Sequence, residues 1–260
     1  MGQENGQWKR NSKKIAEAGF TGILGSLPEK HEADKWRRLL DEYQFSFGIH
    51  SFPSSPEDLR AILGQAKDFG VQYINSQVMG DFLIGQEAIH LLRSLVQEAK
   101  EVAIPYYVET HRGRITQDLI RTVDYVKAIP DLRLTIDLSH YVLAGEGCFS
   151  QEAEAYFDTL LKRTAAIHAR VSNGHQIQID IGTNGEHPAV ERFIRWWETG
   201  MSYWRANAKE GDVLPLVCEL GPPDYSMTRF STDKPTEISD RWEQALVFKR
   251  LLEKAWQRVN

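Results

Sequence analysis

Four polar residues each interrupt an apolar run of this chain: Glu109 in PYYVETHRG, Asp137 in LRLTIDLSH, His168 in AAIHARV and Glu219 in LPLVCELGPP. A carboxylate or imidazole among Val, Ile, Leu and Tyr costs free energy unless something pairs with it. Three carboxylates and one histidine converging at strand ends would hold one divalent cation and leave room for a substrate. The identity of such an ion stays open among Mn, Mg, Co and Zn. A lone acid at a strand end is more often a helix cap or an ion-pair partner. The joint pattern, four such residues in order with two further histidines on the same segments, favours the metal reading.

Further polar side chains accompany these four. Glu109 and His111 are two residues apart and share a strand face, as do Tyr107 and Glu109, and His168 and Arg170. His140 lies three residues beyond Asp137. His50 in FGIHSF either lines the pocket or is a satisfied core histidine. Tyr225, after ELGPP, either walls the pocket or anchors a packed loop. His31 and His90 read as structural or solvent-exposed, and His175 and His187 as solvated loop positions. The stretch NGHQIQIDIGTNGEHP is long for a βα connection and reads as a binding loop over the site. Trp196 and Trp197 read as core residues of the helix that follows it.

The elements that must position these residues recur in one cycle: an amphipathic helical stretch, a Gly or Pro break, then a short apolar strand. SPEDLRAILGQAKDFG leads into VQYINSQV, and TQDLIRTVDYVKAIP leads into DLRLTIDLSH. Apolar residues recur at three- and four-residue steps in the helical stretches, as Leu119, Val123 and Val126 do. The strands are apolar runs more than strict alternations, as buried parallel strands are. Regular αβ alternation without consecutive hairpins predicts a parallel sheet closing into a (β/α)8 TIM-barrel-like fold, one domain over 1–260. A doubly wound open sheet is the alternative, but no G-x-G-x-x-G follows an early strand. Eight helices but only seven strands are found, because the chain opens into its first helix. The expectation is seven parallel strands, the first strand of the barrel missing, with a gap or a covered edge in its place and no strand from residues 1–12.

Composition narrows the function classes. The chain has 260 residues, 42% of them hydrophobic and 26% charged, and a net charge of −5. With no broad basic field, nucleic-acid binding is not expected. No apolar run spans a membrane. The first residues lack the apolar core of a signal peptide, and two cysteines, Cys148 and Cys218, make no disulfide framework, so a cytoplasmic protein is expected.

The ordered segments ETHRG, IDLSHY, IHARV and ELGPP resemble the xylose isomerase-like TIM barrel superfamily of sugar isomerases, epimerases and endonuclease IV-like proteins, closest to its sugar phosphate isomerase/epimerase branch. The resemblance runs from about residue 13 onward. It implies one divalent metal on Glu109, Asp137, His168 and Glu219, with Glu109 and Glu219 also as the proton-transferring pair. His140, His111, Arg170, His50 and Tyr225 would then face a small carbohydrate-like substrate. Departures from the family are the absent first strand and the run of His111, Arg112 and Arg114 where the 3-epimerases have a second acid. The implied activity is a metal-dependent sugar isomerase or epimerase acting through an enediolate. The alternative is a lyase or dehydratase on an oxo-sugar or 3-oxo-glycoside. An endonuclease IV-like nuclease, for which YINSQV lacks a histidine, or an inactive binding protein are lesser readings. A homodimer is an assembly compatible with all of them.

Overall fold

Each apolar run that carries a candidate residue forms a strand, and each amphipathic stretch before it forms a helix. A computed structural model describes residues 2–147, 150–232 and 236–260, with side chains from residue 10 onward; Cys148 lies outside the described residues. The order is α1 (Gly2–Glu17), β1 (Gly22–Gly25), α2 (Ala33–Tyr43), β2 (Ser46–Ser51), α3 (Pro56–Phe69), β3 (Tyr73–Ser76), α4 (Gly85–Val102) and β4 (Tyr106–Glu109). The second half continues with α5 (Leu119–Ala128), β5 (Leu134–Ile136), α6 (Ser139–Ala144), α7 (Gln151–Leu161), β6 (Thr164–Ala169), α8 (Val190–Arg205), β7 (Leu216–Cys218), β8 (Thr228–Arg229), β9 (Thr236–Glu237) and α9 (Arg241–Val259).

β1 to β7 lie in chain order in one parallel sheet, a nearly closed barrel in which β1 and β7 are the two ends. The seven-strand expectation holds, and residues 2–12 are helical. Local chemistry explains the helix limits. Ser55 accepts from the Asp58 amide at the start of α3, where Pro56 follows, and Gly70 closes that helix at φ 89°. Asp118 caps α5 and Asp240 caps α9 in the same way. Inside the barrel Gly48 makes room for an aromatic ring: a Cβ there would lie 2.2 Å from Tyr73 Cε1.

Three elements had no counterpart in the sequence reading. α6 is six residues long and follows Asp137 almost directly, while β8 and β9 form a two-residue antiparallel ladder. All three are shorter than a pattern can reveal. The core is continuous from Phe47 through Leu92, Val108, Ile136 and Ile167 to Phe248. Trp196 and Trp197 are both buried in it. Among the described residues no helix is long and apolar enough to cross a membrane.

Candidate metal centre

Register sets the site. Glu109 ends β4, level with Thr135 of β5. A register shift after Leu134 leaves Ala165 unpaired, so that Asp137 follows Ile136 where His168 follows its partner Ile167. On the next pair Ala169 is level with Cys218, so Arg170 and Glu219 emerge side by side. All of these groups reach the carboxyl ends of the strands, the end at which such barrels carry their chemistry.

Three of the four sequence candidates meet directly. Glu109, His168 and Glu219 each bring a ligand atom within 4.8 Å of the others. His168 Nδ1 lies 2.8 Å from Glu219 Oε2 and 3.7 Å from Glu109 Oε1. Asp137 stands beside this trio. Its Oδ2 is 3.4 Å from His140 Nε2 and 3.5 Å from Arg170 Nη1, and its Oδ1 accepts from the Ser139 amide at 2.9 Å. Arg170 is fully buried, and its Nη2 lies 2.8 Å from Glu219 Oε1.

His140 and His111 flank the acids with ring centroids 4.0 Å apart. His111 and His140 also form a second group of ligand spacing with Glu109. His111 Nδ1 is 2.5 Å from the Arg112 carbonyl, which fixes the proton on that nitrogen, and Nε2 is 3.1 Å from the Tyr225 hydroxyl. The Tyr225 ring lies under two guanidiniums, 4.6 Å from Arg170 and 5.1 Å from Arg112. Gly221 lets that ring fold back, since a Cβ there would lie 2.7 Å from Tyr225 Cβ. His50 is half-buried at the edge of the set, 6.3 Å from His168 between ring centroids and 3.3 Å from the Asn75 amide. His31, His90 and His175 are exposed, and His187 is half-buried, with its Nδ1 accepting from the Ala189 amide.

Two residues were missed. Asn75 and Gln77 donate to Glu109 Oε2 at 2.5 and 3.1 Å. They are two apart in YINSQV, and that spacing was the available signal that both face the barrel interior. The long loop before α8 is more packed than expected of a solvated binding loop, because Ile177, Ile179 and Ile181 are buried.

The electrostatics follow from burial against pairing. Burial works against a charge on His168, but Glu219 and Glu109 outweigh it and lift its pKa to about 10. Burial likewise opposes ionisation of Glu219, yet His168 and Arg170 hold it well below the usual carboxylate range. Burial dominates at Asp137 and pushes it up to about 7 despite Arg170. Burial, then His111 and Arg170, keep His140 well below an ordinary histidine.

The donor set suits a divalent cation. Glu109 Oε1, Asp137 Oδ2, His140 Nδ1 and His168 Nε2 are buried without a hydrogen bond, and His168 Nδ1 and Glu219 Oε2 have only ion-pair contacts. Native proteins satisfy nearly all such atoms, so this concentration marks a site that expects another group. Oxygen donors with one imidazole match Mg, Mn or Zn chemistry.

No protein-family model and no curated protein sequence matches the chain. Solved structures do match its shape. A xylose isomerase-like TIM barrel protein from Mycobacterium smegmatis, in complex with magnesium, is similar at a TM-score of 0.64 with 13% identity, covering 98% of this chain and 90% of that one. A sugar phosphate isomerase/epimerase from Parabacteroides distasonis is similar at 0.55 with 13% identity, covering 96% and 91%. With seven parallel strands in a nearly closed ring and candidate ligands at their carboxyl ends, the chain has the fold of the xylose isomerase-like TIM barrels.

Proposed function

We propose that this protein is a divalent-metal-dependent isomerase or epimerase of a sugar or sugar derivative, working through an enediolate. The observation that carries the proposal is the Glu109–His168–Glu219 trio, with Glu109 and His168 buried and Glu109 Oε1 and His168 Nε2 without a hydrogen bond, beside His140, His111 and Arg170. Glu109, His168 and Glu219 would hold the cation, with Asp137 next to them. A bound divalent cation supplies Lewis-acid polarisation of a carbonyl oxygen.

The chain's own groups do the rest. Glu219 is the more open carboxylate, with its side chain 21% exposed against 0% for Glu109, and would take the proton from the carbon beside the carbonyl. Glu109, the other carboxylate of the trio, would return a proton in the epimerase reading. Arg170, through its pairing with Glu219, keeps that carboxylate ionised at neutral pH, so that it can accept a proton, while making it a weaker base. His140 and His111, both kept neutral by burial, offer hydrogen bonds to hydroxyls and to the negative charge that develops on the enediolate. Tyr225 covers the mouth and helps keep water out.

The test is incubation with Mg2+ or Mn2+ in deuterated water against a panel of aldoses, ketoses and their phosphates. Deuterium should enter at the carbon next to the carbonyl, and a chelator should stop it. Loss of a leaving group without isomer formation would replace the proposal by a lyase. Absence of any exchange with the cation bound would overturn it.

A further inference from the structure

The sheet has two ends, and they face the same cavity. Among the described residues β1 pairs only with β2 and β7 only with β6. Among the described residues no backbone hydrogen bond joins Gly22–Gly25 to Leu216–Cys218. Gly22, Ile23 and Leu24 form one wall of the cavity, and Leu216, Val217 and Cys218 form the other. Its volume is about 1660 Å³. That exceeds the roughly 300–1,000 Å³ of an ordinary small-ligand pocket.

The remaining walls are those of a strand's environment. On the barrel side lie Tyr73 and Tyr107, whose rings stack with centroids 5.8 Å apart. On the helix side lie Ile15 of α1 and Trp242 and Trp256 of α9, with Arg241, Lys249 and Glu253 of the same helix beside them. An alkyl chain or a sugar could fill such a volume, but neither presents a row of donors and acceptors to two backbone edges at once. An extended peptide does so, with its amides and carbonyls spaced at about 3.3 Å per residue along both sides. The direction is also set. β1 and β7 run parallel to every other strand, so a single strand between them pairs in parallel with both. The connectivity agrees: α2, α3, α4, α5, α7, α8 and α9 each come after a strand of the barrel, and α1 is the barrel helix with none before it. A right-handed crossover into α1 places the strand that belongs to that helix beside β1, on the side away from β2.

We propose that the gap between β1 and β7 is a receptor groove for one extended peptide strand, rich in Val and Ile, running parallel to both edges. Its alternate side chains pack on Tyr73 and Tyr107 within and on Ile15, Trp242 and Trp256 without. Docking turns β7 from an edge strand into an interior one. Because Glu219 follows Cys218 directly, the docked strand also steadies a carboxylate of the candidate metal centre.

The experiment measures hydrogen exchange on the full chain with a seven-residue Val- and Ile-rich peptide, acetylated and amidated. A second arm fuses the same strand ahead of residue 1 through a short flexible linker, so that poor solubility of the free peptide does not decide the result. Exchange at residues 22–25 and 216–218 should slow at least tenfold in either arm, and Tm should rise with peptide concentration. A peptide of the same sequence with alternate amides N-methylated should leave exchange unchanged. Mn2+ should bind the fused protein several-fold more tightly than the unfused one. Unaltered exchange in both arms overturns the proposal. So does equal slowing by the N-methylated peptide or by dodecanoate, which would mean apolar filling alone. Slowing that tracks protein concentration without any peptide would assign the groove to a second copy of the chain and overturn it as well.

Discussion

β4 and β7 each end in a glutamate that reaches His168, yet the two strands support that glutamate differently. β4 lies inside the sheet, paired with β3 and β5. Glu109 receives hydrogen bonds on Oε2 from Asn75 and Gln77, and its carbonyl accepts from the Thr116 hydroxyl at 2.6 Å. β7 is an edge strand with a cavity along its outer side. Glu219 is held by the charges of Arg170 and His168. Glu109, held by neutral amide donors and closed off from solvent, is suited to ligation, whereas Glu219, whose side chain is 21% exposed, can also reach a substrate proton.

Substitution of the two glutamates tests that division most severely. Glu219→Gln should lower the deuterium-exchange rate about 10²–10⁴-fold while Mn2+ binds more weakly but still measurably, as read by calorimetry, because Glu109 and His168 remain as ligands. Glu109→Gln should lose both the rate and the cation. Equal loss of cation affinity in the two variants would erase the distinction.

Arg170→Met is expected to have the next largest effect. It leaves buried Asp137 without its arginine and Glu219 with His168 alone, and removing one member of a buried pair costs roughly 3–5 kcal/mol. Urea unfolding of the chelator-treated protein should show a loss of that order, partly restored by Mn2+. An unchanged midpoint would mean that the two carboxylates take up protons instead of relying on Arg170.

Asn75→Ala acts on the β4 side alone. Losing a hydrogen bond to a buried carboxylate should cost about 1–3 kcal/mol of stability, and cation affinity should fall about 10–100-fold, as when an outer partner of a ligand is removed. Gln77→Ala should do less, because Gln77 also accepts from Arg114. If Asn75→Ala behaves like the wild type, Glu109 is no better held than Glu219.

The smallest effect is a proton count. Without a cation His168 is protonated at neutral pH, its pKa being lifted to about 10 by Glu219 and Glu109 against its burial. A ligating imidazole must be neutral, so cation binding at pH 7 should release about one proton, and affinity should rise as pH approaches 10. Calorimetry in buffers of different ionisation enthalpy reads this release directly. Binding without proton release would place His168 outside the ligand set.

The helices and strands were legible because caps and periodicity agreed along the chain. Ser55 with Pro56, and Asp118 and Asp240 ahead of apolar repeats, mark helix starts without reference to tertiary contacts. The four polar interruptions were legible for a related reason, since ionisable groups stand out in buried strands. Asn75 and Gln77 did not stand out, because a neutral amide in a strand has many ordinary uses. Arg170 was legible as a neighbour of His168, but its contacts with Asp137 and Glu219 depend on a register shift between β5 and β6 that no local pattern encodes. The missing strand was legible by counting. So was a gap or covered edge in its place, but not the residues that line it, because α1 and α9 come from opposite ends of the sequence.

The loop that precedes α8 touches the end of β7 at one point. The Gln178 side chain donates to the Gly221 carbonyl at 3.1 Å and accepts from the Gly221 amide at 2.8 Å. A primary amide bonded twice to one residue imitates a peptide unit, so Gln178 acts as a strand one residue long, borrowed from a loop. It buttons the tip of β7 to the rim independently of the gap below. The mouth of this barrel can therefore keep its shape while its wall stands open, so that a strand closing the ring would tighten a centre whose rim is already in place.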